Sequence, residues 1–351
     1  MTCFCPPPDV PPSNGRFQPI PGIFFDIPPV LRRSNPLPSP GSLRAIIRCL
    51  NDTTDLEFLH VHNLRTAMSS LWLLLAHLKQ AGHGFKVLLT DHNSNWFPFP
   101  QLTARWADYY LPVSEESKSI LNRYVIRPSY VVPTGVPASY PGLQFELRPL
   151  GDREFDLIYF GRIVPWKRPD LVLRLAHGLR STLNHPPRVA IVGNGEDETY
   201  LRWLHSECRR LNLEETTRFV FEPNEDEAAN LLASARLHCL FSSHWDPFKR
   251  HYSCPELAPN TIIEAAACGT PSVCSDLPGI REQILQGRTG LALSLSDWSA
   301  LLGATQSLLS DAGRWTSMAQ EARQFVVRER TYSVIAKRLS GFLNLIREGV
   351  V

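Results

Sequence analysis

Short apolar runs alternate along the chain with stretches in which apolar residues recur every three or four positions. The first pattern predicts β-strands, and the second predicts amphipathic helices. Two predicted helices lie at 67–78 and 196–211, and Asn224 with Glu227 has the spacing of a capping box at the start of a third. The predicted strands are 56–61, 86–90, 156–160, 188–192, 218–221, 237–241 and 271–274.

Most of these strands are apolar on both faces and are separated by helices, so the pattern predicts parallel sheets covered by helices, an α/β fold. The segment 137–153 is rich in proline and glycine and is the best candidate for a linker. We therefore predict a first Rossmann-like domain over 42–150 and a second over 151–330. A last helix, 331–351, could cross back to the first domain.

Proline is concentrated at the start of the chain, where 12 of the 30 prolines lie within the first 40 residues. Proline has no backbone N–H group and pushes the preceding residue toward extended geometry. Residues 1–41 are therefore predicted to form an irregular segment.

The composition is that of an ordinary globular protein, with 43% hydrophobic and 20% charged residues in 351. Lys and Arg number 36 against 34 Asp and Glu, and a net charge of +2 offers no broad positive field for nucleic acid. No apolar run approaches the ~20 residues of a membrane-spanning helix, and the chain does not start with a secretory pattern. We expect a cytoplasmic protein with no nucleic-acid partner, and peripheral membrane contact stays open.

The eight cysteines do not indicate a metal or redox site. Cys3 and Cys5 form a Cys-x-Cys pair that could hold a soft metal, but no second pair lies near them. The other six are scattered, as buried cysteines usually are. We expect no metal and no cofactor.

The first group of candidate residues follows the predicted strand 156–160. Ligands of a parallel α/β sheet bind beyond the carboxyl ends of its strands. Gly161 permits a tight exit from the strand, and Arg162 and Lys167 are spaced so that both could face one anion. A solvated basic loop is the alternative interpretation.

The second group lies at the start of a predicted helix. Pro259 suits the first turn, Gly269 suits the end, and Glu264 falls one turn into the helix, with Glu256 in the loop before it. The free N–H groups of a helix start bind anions. Two carboxylates beside an anion site suit a ligand that carries hydroxyls and phosphates, although Glu264 could also be an ordinary exposed residue.

Together these groups resemble the retaining glycosyltransferases of the GT-B fold, specifically glycosyltransferase family 4. The Gly-Arg-x-x-x-x-Lys loop is similar to that family's diphosphate-binding loop, and Glu256 and Glu264, with seven residues between them, are similar to its signature. The resemblance runs from about residue 35 to the C-terminus. Further motifs in the family's order lie at 60–63, 90–92, 113–115, 132–136, 188–195, 275–279 and 287–290.

The resemblance implies a role for each matching residue. Arg162 and Lys167 would hold the donor diphosphate, Glu264 the ribose hydroxyls and Glu256 the hydroxyls of the transferred sugar. His92 would face that sugar from the other domain.

The remaining residues of the implied donor site would act through their backbone. The amides of Asn260 and Thr261 would contact the phosphate or the sugar, and Gly161 and Gly193 complete the set. The implied fold is two Rossmann-like domains facing a cleft. The implied reaction transfers a hexose from a nucleotide-diphosphate sugar to a glycan or lipid-linked acceptor with retention, without a protein nucleophile.

Three departures from the family pattern affect these expectations. Ala258 stands where the family usually has an aromatic residue. Residues 244–255 are longer than usual, and Asp246 is a second candidate for the first carboxylate, with Glu256 favoured. The first domain is expected to lack its first strand and Gly-rich loop, since only isolated glycines occur at 15, 22 and 41; a partner chain could complete its sheet.

Several alternatives remain open at this stage. His60, His62 and His92 could form a metal site, but a hydrogen-bonded or acceptor-facing pair is favoured. Gly193 and Gly195 suggest a dinucleotide motif, but a strand-to-helix turn explains them. For the whole chain, the alternatives are a sugar-nucleotide 2-epimerase, which needs no acceptor, and a truncated remnant that only binds nucleotide sugar.

Overall fold

A computed structural model describes the chain from residue 44 onward, with gaps. The described residues form two compact units, one up to Val132 together with Val351 and one over Pro133–Val350. The described residues are 44, 47, 50–51, 56–62, 73–80, 84–90, 104–123, 125–183, 185–195 and 197–351. The predicted irregular segment 1–41, the Cys3–Cys5 pair and the region in which we predict no Gly-rich loop lie outside them.

The first unit contains a parallel sheet of three described strands in the order β1–β2–β3. These are β1 (Phe58–His62), β2 (Lys86–Thr90) and β3 (Tyr109–Tyr110), with helix α1 at 73–80 and α2 at Glu115–Asn122. Four of the five residues of β2 are buried. The predicted strand 86–90 is confirmed. Strand β3 was missed because a strand of two residues is too short to show a periodic pattern of apolar positions.

The second unit is built on a six-stranded sheet in the order β6–β5–β4–β7–β8–β9, with all pairs parallel. Its strands are β4 (Phe155–Phe160), β5 (Val189–Val192), β6 (Thr217–Val220), β7 (Ala235–Leu240), β8 (Ser272–Ser275) and β9 (Gly290–Leu293). Its helices are α3 (Pro141–Gln144), α4 (Pro169–Leu179), α5 (Glu198–Arg210), α6 (Glu225–Ala233), α7 (Asn260–Ala267), α8 (Pro278–Arg281), α9 (Trp298–Ser310), α10 (Ala312–Phe325) and α11 (Tyr332–Arg347).

Apolar clusters cover both faces of this sheet, which explains the apolar runs of its strands. Five of the predicted strands match β4 to β8 within two residues at each end. Strand β9 was missed, because its glycine start and four-residue length give a weak signal. The predicted capping box is confirmed: the Asn224 side chain accepts from the Glu227 N–H (2.9 Å), and the Glu227 carboxylate accepts from the Asn224 N–H (3.1 Å).

The division between the units lies earlier than the predicted boundary after residue 150. Helix α3 belongs to the second unit, where the Arg148 guanidinium donates to Ser234 and Asn230 at the end of α6. The segment 137–153, which contains α3, therefore lies within the second compact unit. Helix α11 also lies in the second unit, up to Arg347.

Helix α7 is fixed at its C-terminal end by Arg153, whose guanidinium is buried. It donates to the carbonyl of Gly269 (2.9 Å), to Thr270 Oγ1 (2.7 Å) and to the carbonyl of Ala235 (2.6 Å), and it lies 4.5 Å from the ring centre of Trp315. Burial lowers the pKa of Arg153 to about 10. A cation at the negative end of the helix dipole stabilises α7, and the opposite end of α7 carries candidate site residues.

Among the described residues, no helix is both long and apolar enough to cross a membrane.

Candidate functional site

The carboxyl ends of neighbouring strands bring most of the predicted site residues of the second unit together. The Gly161 loop follows β4, Gly193 follows β5, and Glu256 precedes α7. A β-carbon at Gly161 would lie 3.6 Å from Thr261 Cγ2, and a β-carbon at Gly193 would lie 1.9 Å from the Gly161 carbonyl oxygen. The two glycines and the start of α7 are therefore adjacent.

Gly193 has a structural reason to be glycine. Its φ of +140° is rarely adopted by other residues, and its Cα lies against the Gly161 backbone. We expect Gly193→Ala to destabilise the protein by about 1–3 kcal/mol in chemical unfolding. Gly303→Ala is the control, because Gly303 lies within α9 with open space around it, and alanine should stabilise by ~0.5–1 kcal/mol there. Equal stability of the two variants would contradict the strain argument.

Lys167 forms a buried ion pair with Glu256. Its ammonium donates to Glu256 Oε1, and the two side chains are 10% and 9% exposed. The Ser242 hydroxyl donates to the same oxygen at 2.8 Å. Lys167 sits in a 3₁₀ turn, Pro165–Lys167, whose backbone is tied to the end of β7 by the Ser243 N–H, which donates to the Trp166 carbonyl at 2.9 Å.

Arg162 lies in a different environment from Lys167. It is exposed, and its guanidinium lies 5.6 Å from the ring centre of Trp166. The Tyr159 hydroxyl donates to the Arg162 carbonyl, which fixes the loop backbone and leaves the side chain at the surface. The loop thus carries one buried, paired cation and one exposed cation.

Helix α7 begins at Asn260, four residues after Glu256, with Pro259 as its N-cap residue rather than in its first turn. The Asn260 side-chain amide donates to Glu264 Oε1 at 3.2 Å. Asn260 Oδ1 and Thr261 Oγ1 are buried and have no hydrogen-bond partner within the described part of the chain. Buried polar atoms are normally paired, so these two atoms beside the N–H groups of a helix start suit a polar ligand.

Glu264 is a half-buried residue whose carboxyl group has an elevated pKa. Burial raises its pKa from the ordinary value to about 7, Glu225 adds to the rise, and the Asn260 amide opposes it. Glu264 is thus not the ordinary exposed helix residue of the alternative interpretation. With a pKa of about 7, both the acid and the carboxylate form of Glu264 are populated near neutral pH.

Asp246, the alternative first carboxylate, is held by its own loop. Its oxygens accept from the backbone N–H groups of Phe248 (2.8 Å) and Arg250 (2.9 Å), from Arg250 Nε (2.6 Å) and from the Tyr252 hydroxyl (3.2 Å). Burial opposes ionisation, but these hydrogen bonds outweigh it and lower the pKa of Asp246. Glu256, and not Asp246, contacts Lys167.

The histidines of the first unit are only partly described. His60 Nε2 lies 2.7 Å from Thr90 Oγ1, and the Thr90 hydroxyl donates to the Leu111 carbonyl at 2.8 Å. Since that hydroxyl has one proton, His60 Nε2 is the donor in their contact. The side chain of His62 and all of His92 lie outside the described residues, and so does any test of the role predicted for His92.

Within the described part of the chain, no three His, Cys, Asp or Glu side chains are grouped as metal ligands. One polar residue of the site was missed by sequence reasoning, namely Ser242. The available signal was its position directly after strand 237–241, at the carboxyl end where a parallel sheet binds its ligand.

A parallel α/β unit with a glycine turn and a helix start at its strand ends is typical of proteins that bind nucleotides. The family match is more specific. Residues 144–325 match the family described as glycosyl transferases group 1, to which the chain belongs. Residues 1–140 match Glycosyltransferase Family 4. The predicted resemblance is confirmed, and the match begins at residue 1 rather than near residue 35.

The curated relatives are similar over part of their length. Glycogen synthase of Mycobacterium tuberculosis is 30% identical over 182 residues, which cover 52% of this chain and 40% of that protein. D-inositol 3-phosphate glycosyltransferase of Stackebrandtia nassauensis is 28% identical over 243 residues, which cover 65% of this chain and 52% of that protein. The chain thus spans about half the length of these relatives, or less.

Two solved structures share the fold of this chain. A glycosyltransferase from Rickettsia africae superposes with a TM-score of 0.69 at 17% identity, covering 93% of this chain and 84% of that one. Anabaena HepE, solved in complex with UDP, gives a TM-score of 0.65 at 17% identity, covering 86% and 82%. The predicted GT-B fold class of two Rossmann-like domains is therefore confirmed.

Proposed function

We propose that the protein is a retaining glycosyltransferase that moves a hexose from a nucleotide-diphosphate sugar to a hydroxyl of a glycan or lipid-linked acceptor. One observation carries the proposal. The buried Lys167–Glu256 pair, whose carboxylate also accepts from Ser242, lies in the loops beside the start of α7, where Thr261 and Asn260 have buried polar atoms with no partner among the described residues. This is a cation, a carboxylate and a set of N–H donors at one edge of a sheet.

The donor class follows from what these groups can recognise. The Lys167 ammonium and the N–H groups of α7 suit a diphosphate, and the Glu264 carboxylate one turn further suits ribose hydroxyls. Similar proteins support this class, since HepE was solved with UDP-glucose, and a relative from Mycolicibacterium smegmatis is named a GDP-mannose-dependent mannosyltransferase. Sugars linked to UDP and to GDP are therefore the donors to test.

In this proposal one oxygen of the Glu256 carboxylate binds the protein and the other binds the transferred sugar. Among the described residues, the two hydrogen bonds to the Glu256 carboxylate both go to Oε1, so Oε2 is the oxygen to accept from a hydroxyl of the transferred sugar. Ser242 and Lys167 fix the orientation of the carboxylate. The role assigned to His92, facing that sugar from the first domain, stays a prediction.

The reaction breaks the bond between the anomeric carbon and the diphosphate oxygen and forms a bond from that carbon to the acceptor oxygen on the same face. The acceptor proton passes to the leaving phosphate, so no protein nucleophile is needed. Negative charge builds on the leaving diphosphate. Lys167 and the N–H groups of α7 stabilise this charge, together with Arg162 from the loop surface. The donor is a substrate, and the proposal includes no cofactor or metal.

The test is a donor panel of UDP-glucose and GDP-mannose, with and without glycan acceptors, read by release of nucleoside diphosphate and by the anomeric configuration of the product. We expect acceptor-dependent release and a retained α-anomer. Conversion of the donor without an acceptor would favour the epimerase alternative. Binding without any turnover would favour the remnant.

The two candidate carboxylates can be separated in the same assay. We expect Glu256→Gln to lower the rate of transfer at least tenfold and to change nucleoside diphosphate affinity little, because its proposed partner is the sugar. Asp246→Asn is the matched control and should act on stability more than on transfer, since its bonds stay within its own loop. A silent Glu256→Gln beside an inactive, folded Asp246→Asn would reverse the assignment.

A further inference from the structure

A second cavity opens beside the donor site, at the carboxyl ends of β7, β8 and β9. Its volume is about 610 Å³, and its lining includes residues at or just after the ends of these three strands: Ser242 and Ser243, Ser275 to Leu277, and Ser294 to Ser296. The proposed donor chemistry does not use it, apart from Ser242, which lines the cavity and also donates to Glu256.

One wall of the cavity is the insertion that departs from the family pattern. Residues 244–252, the insertion hairpin, form a tight antiparallel turn in which the Tyr252 N–H donates to the His244 carbonyl (2.7 Å) and the Asp246 N–H to the Arg250 carbonyl (3.1 Å). The buried Asp246 carboxylate fixes the tip. The hairpin is therefore a preformed wall.

Trp245 is the aromatic residue of this wall. Trp245 is one of the residues that line the cavity, and it is 55% exposed, which is unusual for a tryptophan outside a binding surface. Its backbone is held on both sides, by the Ser243 hydroxyl at 3.2 Å and by the Arg168 guanidinium, which donates to its carbonyl at 3.2 Å. The His251 ring lies 4.8 Å away at 57°, which limits the ring positions of Trp245.

The polar lining favours an uncharged ligand with many hydroxyls. Six of the twelve residues that line the cavity are serines, and none of the twelve is Lys or Arg. The carboxylate of Asp276 would repel an anion but accept from a hydroxyl; Arg281 donates to its Oδ1 at 2.7 Å. His244 Nδ1 is engaged with the Tyr252 carbonyl at 2.9 Å, so its Nε2 can accept a hydrogen bond from a ligand.

We propose that this cavity is a carbohydrate-binding subsite that takes a neutral sugar ring of a glycan, with the C–H face of the ring on Trp245 and its hydroxyls on the serines and Asp276. Aromatic rings combined with a few placed polar groups are the usual lining of small-molecule sites. The assignment of this sugar ring to the acceptor rests on the proposed function. The proposal that the cavity binds a sugar does not depend on that function.

The subsite is physically tied to the loop that carries Lys167. The Ser243 N–H donates to the Trp166 carbonyl, and the Tyr252 ring lies 4.9 Å from the Trp166 ring. A sugar on the hairpin would therefore rest on the same backbone that positions Lys167, which places a bound glycan next to the donor site.

The test uses saturation-transfer NMR and calorimetry with maltotriose, cellotriose and mannotriose, each measured without nucleotide and again after addition of UDP. We expect at least one of these neutral trisaccharides to bind, and Trp245→Ala to weaken it at least tenfold. Trp245→Phe keeps an aromatic face and should retain most of the affinity. Phe248→Ala is the matched control, because Phe248 is exposed on the same hairpin but packs against Trp203 and does not line the cavity.

The UDP affinity separates this inference from the proposed function. Trp245→Ala should bind UDP as the natural chain does, whereas failure of the natural chain to bind any nucleotide, with trisaccharide binding intact, would refute the function alone. The subsite is overturned if no trisaccharide binds, if Trp245→Ala and Phe248→Ala behave alike, or if inorganic phosphate or UDP displaces the sugar.

Discussion

Lys167→Ala should weaken the binding of a free nucleoside diphosphate by tenfold to about a hundredfold. The ammonium is buried, and a charge-assisted hydrogen bond contributes ~1.5–3 kcal/mol, which corresponds to that range. The loss should appear for UDP as well as for UDP-glucose, because the proposed partner is the diphosphate. Calorimetric titration of both ligands measures it.

The same substitution also disturbs the unliganded protein, because it leaves Glu256 buried without its cation. The double variant Lys167→Met with Glu256→Gln removes both charges and should restore most of the stability. It should not restore diphosphate affinity. Lys337→Ala is the surface control, since Lys337 is an exposed lysine on α11, and its affinity should equal that of the natural chain.

Two results would refute the proposal that Lys167 binds the diphosphate. Unchanged UDP affinity in Lys167→Ala would mean that Lys167 serves Glu256 alone. Recovery of affinity in the neutral double variant would mean that the single variant lost binding through damage to the fold.

Much of the second unit could be predicted because its strands are buried on both faces. Apolar runs such as 156–160 and 188–192 have no other simple explanation, and a parallel sheet then dictates that ligands bind at the carboxyl ends. This is why Gly161, Lys167 and Glu256 could be named before any coordinates, and the structure brings them to one edge.

The pairing of side chains could not be predicted in the same way. Arg162 and Lys167 look equivalent in the sequence, yet one lies exposed over Trp166 and the other is buried against Glu256. The difference comes from the 3₁₀ turn at Pro165–Lys167 and from the Ser243–Trp166 hydrogen bond, which are tertiary features. Spacing alone could not settle between Asp246 and Glu256 for the same reason.

The insertion shows a further limit of sequence reasoning. Its length could be read as a departure, but its shape depends on one buried carboxylate, Asp246, that binds two backbone N–H groups and a guanidinium. Nothing in the local pattern distinguishes that arrangement from a catalytic carboxylate. The cavity beside Trp245 follows from the resulting hairpin and could be found only in the folded chain.

Glu264→Gln should make the unliganded protein more stable at pH 8 and should weaken the binding of the nucleotide sugar. Burial raises the pKa of Glu264 to about 7 in the folded state, above its ordinary value of 4.5. Ionisation therefore opposes folding: the cost is absent below about pH 4.5, grows as pH rises to about 7, and is complete above it. At 1.36 kcal/mol per pKa unit, its upper limit is roughly 3 kcal/mol. Glutamine removes it, so the two stability curves should separate only above about pH 5.

Nucleotide-sugar affinity should show the opposite pH dependence in the natural chain. The ribose hydroxyls are proposed to donate to the Glu264 carboxylate, so the affinity for UDP-glucose should rise as pH increases from 6 to about 8 and the acid loses its proton. UDP-glucose suits this test, because its doubly esterified diphosphate has no proton to lose in that range. The glutamine variant should bind more weakly at pH 8, with an affinity that stays flat across the range. A natural chain with flat affinity, or a variant that keeps the slope, would place the titrating group elsewhere than Glu264.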